Sequence, residues 1–332
     1  MTGCSIQVAR PGALTTIQDC GRPGYAHLGV PRSGALDAPA HHRANQLVGN
    51  PPGAPVLETT LTGVAVTARA AVTVAVTGAH AAVRLDGRRV GLGTAVAMAA
   101  GQTLDVGPAR LGVRSYVAFS GGLQIPPVLG SASTDLLSGL GPARLAAGDV
   151  LDLGEAAAPD GPPAPGGGAA VPGGGAAVPG GGAAAAGGGA AVPGGTLAAA
   201  GFPPRCPQAG VPAAAVPGER AELLIHLGPR DDWLSAVGLA ALRGAAWKVS
   251  PQSNRVALRL AGAAPPRSRS GELPSEGLVA GAIEALPDGQ LVVFLADHPT
   301  TGGYPVIAVL DPGSLPVCAQ ARPGLTVTFR IA

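Results

Sequence analysis

Aromatic side chains make up only 3% of this 332-residue chain and charged ones 13%, the latter about half of the roughly 25% found in an ordinary soluble protein. A core with so few rings must be assembled mostly from Val, Leu, Ala and Ile. The net charge of +2 is too small to draw the chain to nucleic acid or to an anionic membrane. Lys248 is the only lysine, and Met1 and Met98 are the only methionines. Long apolar runs are missing as well. The nearest candidate for a membrane span, GVAVTARAAVTVAVTGAHAAV, carries Arg69 and alternating threonines, which suits strands and not a bilayer helix.

The cysteines Cys4, Cys20, Cys206 and Cys318 are scattered, with no C-x-x-C pair. Neither a zinc site nor a disulfide framework is indicated, and a reducing, cytoplasmic setting is expected. The opening MTGCSIQVAR has no basic flank followed by an apolar stretch, so it does not read as a signal peptide. There is no G-x-x-x-x-G-K-[ST] phosphate loop and no G-x-S-x-G elbow, which removes a nucleotide cradle and a strand-mounted serine nucleophile. His27, His41, His42, His80, His226 and His298 never fall in an H-x-x-x-H spacing, and no metal site is expected.

What remains is organised in three parts. From Ala156 to about Gly218 the chain is Ala, Gly and Pro with little else, and PGGGAAV-type repeats start at Pro165, Pro172 and Pro179. Gly and Pro forbid a continuous helix there, and such residues bury too little apolar surface to offset their ordering entropy. A disordered linker is expected over 156–219, between an N-terminal β domain at 1–155 and a C-terminal one at 220–332. In the first part, AVTVAVTG alternates Val72, Val74 and Val76 on one face, and VRLDGRRV sets Asp86 and Gly87 between two short runs as a hairpin turn. LDVGPARLGVRSYVAFSGG reads as strand, turn, strand. One helix is expected near 37–48, capped by Asp37, with Leu36, Ala40, Ala44, Leu47 and Val48 on its apolar face and Gly49 as its stop. In the last part AELLIHLGP is a strand, RDDWLSAVGLAALRG a helix opened by Asp231 or Asp232, AGAIEALPDGQLVVFLAD a hairpin, and LTVTFRI the final strand. Many short strands with a small helix in each half predict a mainly β protein of two barrel-like domains.

Four polar clusters stand out against this background. PGALTTIQDCGRPGYAHLGVPRSGALD is nearly all turn and carries Asp19, Arg22, Arg32, Ser33 and Asp37. An Asp19–Arg22 pair that holds the loop is the simplest reading, with Ser33 and Asp37 either capping the helix or facing a ligand. Gly130, Ser131, Ser133 and Thr134 are expected to precede a short helix, whose start can cap itself or bind an anion. Ser253, Asn254 and Arg255 stand just before a strand, where an arginine can fix a carboxylate at two points or serve the fold. The fourth cluster is LADHPTTGGYPVIAVL. An ordinary hairpin needs only two to five loop residues, yet here Asp297, His298, Thr300, Thr301 and Tyr304 surround Gly302 and Gly303, which permit close approach of a ligand to the backbone.

LTTIQDCGRPGYAHLGVPRSGALD, ANQLVGN, LET, SGGL, LGSAST, SNRVALRLAG and ADHPTTGGYPVIAVL together resemble the biotin-dependent carboxyltransferase family. That family includes the C subunit of bacterial 5-oxoprolinase, allophanate hydrolase subunit 2 and the Kip-type antagonist of a sporulation kinase inhibitor. The resemblance covers about 6–155 and 220–330. It departs from the family's usual pattern at Val256 and Ala257, and at Glu284, where a nearby glutamine is common. The resemblance implies two cyclophilin-like β-barrel domains and a hydrolase component that acts with the A and B subunits of 5-oxoprolinase to open 5-oxo-L-proline to L-glutamate, with ATP bound by the partners. The alternatives it carries are transfer of a carboxyl group from carboxybiotin to urea or a related amide, and a regulatory module without chemistry of its own. No Met-Lys pair exists, so biotin is not expected on this chain. Asn254, Arg255, Asp297, Thr301 and Tyr304 are the expected catalytic set. Ser33, Asp37, Ser131, Ser133, Thr300, Gly302 and Gly303 are the expected substrate contacts, with Thr301 and Asn254 facing one cleft.

Overall fold

Alternation of Val72, Val74 and Val76 does produce a strand, but a much longer one than the motif alone. The computed structural model of the chain describes residues 4–156 and 216–332, apart from positions 264, 270 and 272; the expected linker lies, from 157 to 215, outside the described residues. The first sheet contains β1 (Ser5–Arg10), β2 (Leu14–Gln18), β3 (Val56–Thr60), β4 (Val64–Ala68), β5 (Val72–Leu85), β6 (Arg88–Val90), β7 (Ala95–Met98), β8 (Thr103–Phe119) and β9 (Val150–Asp152). Its order is β2-β3-β8-β4-β1-β9, with β5 pairing β8 and carrying β6 and β7 as branches. Val72, Val74 and Val76 join Ile6, Val66, Leu104, Val117 and Phe119 in one buried cluster, the aliphatic core that the composition demands.

Residues 104–122 are corrected from strand-turn-strand to the single strand β8 and the turn that follows it. Gly112 takes a left-handed φ of 80°, and the register against β5 slips across it and again at two points between Val106 and Leu111. The glycines therefore bulge the strand and do not reverse it. At Asp86 and Gly87 the chain does reverse, with φ of 47° and 79°, the positive pair that matches strand twist in a two-residue hairpin. The hairpin makes β6 an edge strand that pairs only with β5, setting Arg84 opposite Arg89 and Leu85 opposite Arg88.

Helix α1 (Ala38–Leu47) begins where its cap predicts, with the Asp37 carboxylate accepting the Ala40 N–H at 3.0 Å. Ala40, Ala44 and Val48 pack on Ala75, Tyr116 and Ala118, so both faces of the β5/β8 ribbon are covered. Helix α2 (Ala236–Gly244) starts later than expected. Ser235 caps it by accepting from Gly238 N, while Asp231 and Asp232 belong to a separate 3-10 turn ended by the extended Leu234. The helix expected after Thr134 is absent, because the groups that would start it are used elsewhere: Ser131 Oγ, Ser133 Oγ and Ala132 N all bond to the Asp19 carboxylate.

The second sheet comprises β10 (Arg220–Leu227), β11 (Ala246–Val249), β12 (Ala257–Ala261), β14 (Ala282–Ala285), β15 (Leu291–Phe294), β17 (Val306–Leu310) and β18 (Thr326–Ile331), while β13 (Glu276–Gly277) and β16 (Thr301–Gly302) form a separate two-stranded flap. The seven strands close a barrel in the order β10-β17-β14-β15-β12-β11-β18, sealed by a parallel pairing of β10 with β18. Trp247 and Phe329 meet inside it at 5.1 Å between ring centroids, among Leu223, Leu260, Ile283 and Ile307. Leu36, from the loop before α1, belongs to this same cluster, so the first sheet's loop plugs into the barrel's core. The chain is thus mainly β with few short helices, as a closed barrel and a curled sheet. Among the described residues Cys4 and Cys318 are free cysteines.

Candidate functional site

Arg255 is 1% exposed and Asp297 0%, and they meet at the seam between the two sheets. Arg255 Nε and Nη2 donate to the two Asp297 oxygens, each at 2.9 Å, and Nη2 also reaches Gly34 O at 2.8 Å. Its Nη1 donates to Glu58 on β3. Burial alone would lower the Arg255 pKa, but Asp297 and Glu58 outweigh it and raise it. Ser33 Oγ stands 2.7 Å from Asp297 Oδ1, and Leu136 N donates to Oδ2 at 3.2 Å. Glu58 is further bound by the Tyr116 hydroxyl at 2.9 Å and Leu36 N at 3.1 Å. Asp37 caps α1 and accepts from Gln320 Nε2 at 2.7 Å. Arg255, Asp297 and Ser33 therefore satisfy one another and the backbone, Asp37 is spent on the α1 cap and Gln320, and the expected two-point grip of Arg255 falls on a carboxylate of the protein.

Tyr116 tests how tightly this seam is satisfied. Its hydroxyl donates to Glu58 and accepts Asp37 N at 2.8 Å, and burial, then Glu58 and Asp37, push its pKa well up. Tyr116→Phe is expected to cost about 1–3 kcal/mol in urea unfolding, since it strands the buried Asp37 N–H and removes one of the two donors to Glu58 Oε2. An unchanged midpoint would mean that water replaces the hydroxyl.

The remaining expected site residues are spread out. The Asp19–Arg22 pair is corrected: Asp19 is held by Ser131, Ser133, Ala132 N and Gly21 N, while Arg22 donates to the carbonyls of Val128 and Ser133. Asn254 accepts from Val256 N and Ala257 N in its own turn and lines a cavity of about 160 Å³ with Arg114 and Arg255. Thr300 lines a different cavity, of about 430 Å³. Thr301 is exposed on the flap and lines neither, so the expected shared cleft of Thr301 and Asn254 is not formed. Gly302, Gly303 and Tyr304 continue the flap over Glu284.

The 430 Å³ cleft has the chemistry that the sequence reading missed. One wall is the turn-rich loop with Arg22, Tyr25 and Arg32; the other is Leu278, Val279, Ala280, His298, Thr300 and Leu315. Arg22 is 1% exposed, yet among the described residues its Nη1 has no hydrogen-bond partner, and neither has Arg32 Nε. Burial lowers both guanidinium pKa values, opposed at Arg22 by Asp135, Asp19 and Asp297, but an arginine stays charged at neutral pH. Unpartnered buried donors are uncommon and call for a ligand or a water. His298 Nδ1 lies 2.7 Å from Pro299 O; a carbonyl only accepts, so Nδ1 carries the proton and Nε2 is left as an acceptor. Burial pulls the His298 pKa down, which favours this neutral form. The signal for the cleft was present in GRPGYAHLGVPR, but Arg22 and Arg32 are indistinguishable from loop-holding arginines until their partners are known. Among the described residues no group of His, Cys, Asp and Glu is placed to hold a metal ion, and no helix is long and apolar enough to cross a membrane.

A barrel and a curled sheet joined by buried ion pairs, with an arginine-lined cleft at their seam, define the scaffold. The chain belongs to the family described as carboxyltransferase domain, subdomain A and B, whose model matches residues 28–331. It is 33% identical over 327 residues to the C subunit of 5-oxoprolinase from Escherichia coli, covering 98% of this chain and 90% of that protein. It is 30% identical over 337 residues to urea amidolyase of Saccharomyces cerevisiae, covering 98% of this chain but 16% of that protein. The crystal structure of Kluyveromyces lactis urea amidolyase superposes with a TM-score of 0.79 at 26% identity, over 99% of this chain and 19% of that one.

Proposed function

We propose that the chain is the C subunit of an ATP-dependent 5-oxoprolinase, working with A and B subunits to open 5-oxo-L-proline to L-glutamate. The observation that carries this reading is a cleft lined by Arg22 and Arg32 together with His298 and Thr300, with each arginine keeping a buried donor that has no partner among the described residues, Arg22 Nη1 and Arg32 Nε. Charged donors of this kind suit a carboxylate, and His298 Nε2 suits the N–H of a cyclic amide. The likeness to the E. coli protein over nearly its whole length supports the same substrate. The lactam is a poor electrophile, so the nucleotide activates it; with no phosphate loop in this chain, the nucleotide is assigned to the partners. The linker reading of 156–219 and the cytoplasmic location belong to this proposal as well.

A second reading is carboxyl transfer to urea or a related amide, supported by the likeness to urea amidolyase. The same donors would then hold the carboxyl group in transit, and His298 would accept the proton of the attacking N–H. The purified chain with ATP and 5-oxoproline is expected to release no glutamate until A and B subunits are added. Calorimetry should show 5-oxoproline binding more tightly than 2-pyrrolidinone, which lacks the carboxylate. Equal binding of the two, or glutamate from the chain alone, rejects the assignment.

A further inference from the structure

Glu284 is the one acid of β14 and is only 3% exposed, yet its Oε1 has no hydrogen-bond partner among the described residues. Neighbours Ile283 and Ala285 point into the barrel core; Glu284 points the other way, as does Ala282, onto the face shared with Val292, Phe294, Val306 and Leu278. On that face β15 places Val292 beside it and β17 places Val306. The flap of β13 and β16 lies over it. A Cβ on Gly302 would fall well inside contact distance of Glu284 Oε1 and of Leu278, so glycine there is what lets the flap lie this close. The Tyr304 N–H is the donor that favours the charged form.

The same flap walls the cleft. Leu278, Val279, Ala280, His298 and Thr300 line it, and Leu278 N bonds to Thr300 O at 2.8 Å across the flap. We propose that Glu284 positions this flap as a proton-operated catch: protonated, it lets the flap lie down and complete the cleft wall, and ionised, it lifts it. The catch regulates the cleft assigned above, and in that sense rests on that reading.

Charge balance explains the direction. Among the described residues β15 and β17 bring no charged side chain to this face, and β14 brings none besides Glu284. The flap's own acid, Glu276 on β13, is already held by Arg230, with Nε to Oε2 at 3.1 Å. Tyr304 adds a phenol but no cation. An ionised Glu284 under the closed flap therefore has no counter-charge, and burial raises its pKa from 4.5 to about 7 against the pull of the Tyr304 N–H. A carboxyl with a raised pKa holds its proton more tightly in the closed form. Closure is favoured fully below the ordinary carboxyl range, weakens as pH rises through it, and reaches its floor above about pH 7.

Hydrogen exchange of the full chain, normalised to intrinsic chemical rates, reads this directly and needs no substrate. Between pH 6 and pH 8 the segments 273–280 and 300–304 are expected to lose protection by about ten-fold relative to barrel strands β12 and β18. Glu284→Gln keeps the shape without the charge and should abolish that pH response. Glu284→Leu, which suits the apolar niche, should abolish it too and serves if the glutamine variant is poorly folded. A flap whose protection is flat across this range in the wild-type chain, or that responds equally in both variants, overturns the proposal. Loss of 5-oxoproline binding with an intact exchange response would instead count against the cleft assignment alone.

Discussion

Arg255→Met is expected to destabilise the protein by about 3–5 kcal/mol, because it leaves the buried carboxylate of Asp297 without its counter-charge and Glu58 with only Arg114, 3.5 Å away. Equilibrium urea unfolding checks this. Arg255→Lys should recover little, since an ammonium is a point donor and cannot span Glu58, Asp297 and the Gly34 carbonyl at once. The double variant Arg255→Met, Asp297→Asn should recover a good part of the loss by removing the stranded charge, while Glu58 stays paired with Arg114. The competing expectation, that Arg255 grips a substrate carboxylate, predicts a normal unfolding midpoint with lost substrate affinity. That outcome would return Arg255 to the binding site.

Arg32→Gln should do the reverse. The Arg32 side chain makes a single hydrogen bond among the described residues, from Nη2 to Cys20 O at 3.3 Å, so stability should hardly move. If its Nε meets the substrate carboxylate, affinity falls by about 1.5–3 kcal/mol, which is roughly 10- to 150-fold in KM for the assembled complex. Arg22 is a poorer test, since it also ties down the carbonyls of Val128 and Ser133. Unchanged KM in Arg32→Gln would move the carboxylate elsewhere.

Local chemistry was the legible part of the sequence. Asp37, the Ala40–Ala44 spacing and Gly49 specify α1, and Asp86–Gly87 specifies its hairpin, because each depends on neighbours a few residues away. The mainly β character follows from short alternating runs in the same way. The ends of α2 and the continuity of β8 were not legible: Ser235 and Asp231 are both competent caps, and a glycine with positive φ can bulge a strand or turn it. The site was least legible of all. Arg255 meets Glu58 across 197 residues, and Ser33 meets Asp297 across 264. Nothing local marks which arginine is neutralised and which is left facing a cleft. The family resemblance named loops that meet at this seam, but it could not say that Ser131 and Ser133 are spent on Asp19.

The hairpin of β5 and β6 has a bearing on how this protein stays dispersed. A sheet edge is a row of unused backbone donors and acceptors, ready to recruit another chain. Here β6 is such an edge, and in a chain with 13% charged residues it carries Arg88 and Arg89, with Arg84 directly across from Arg89. Like charges placed opposite one another cost the hairpin some stability. They also make the edge repel its own copy, because a second hairpin docking there would bring arginine against arginine. Positive charge at this edge thus works as a colloidal safeguard, trading a little fold stability for resistance to strand-by-strand stacking.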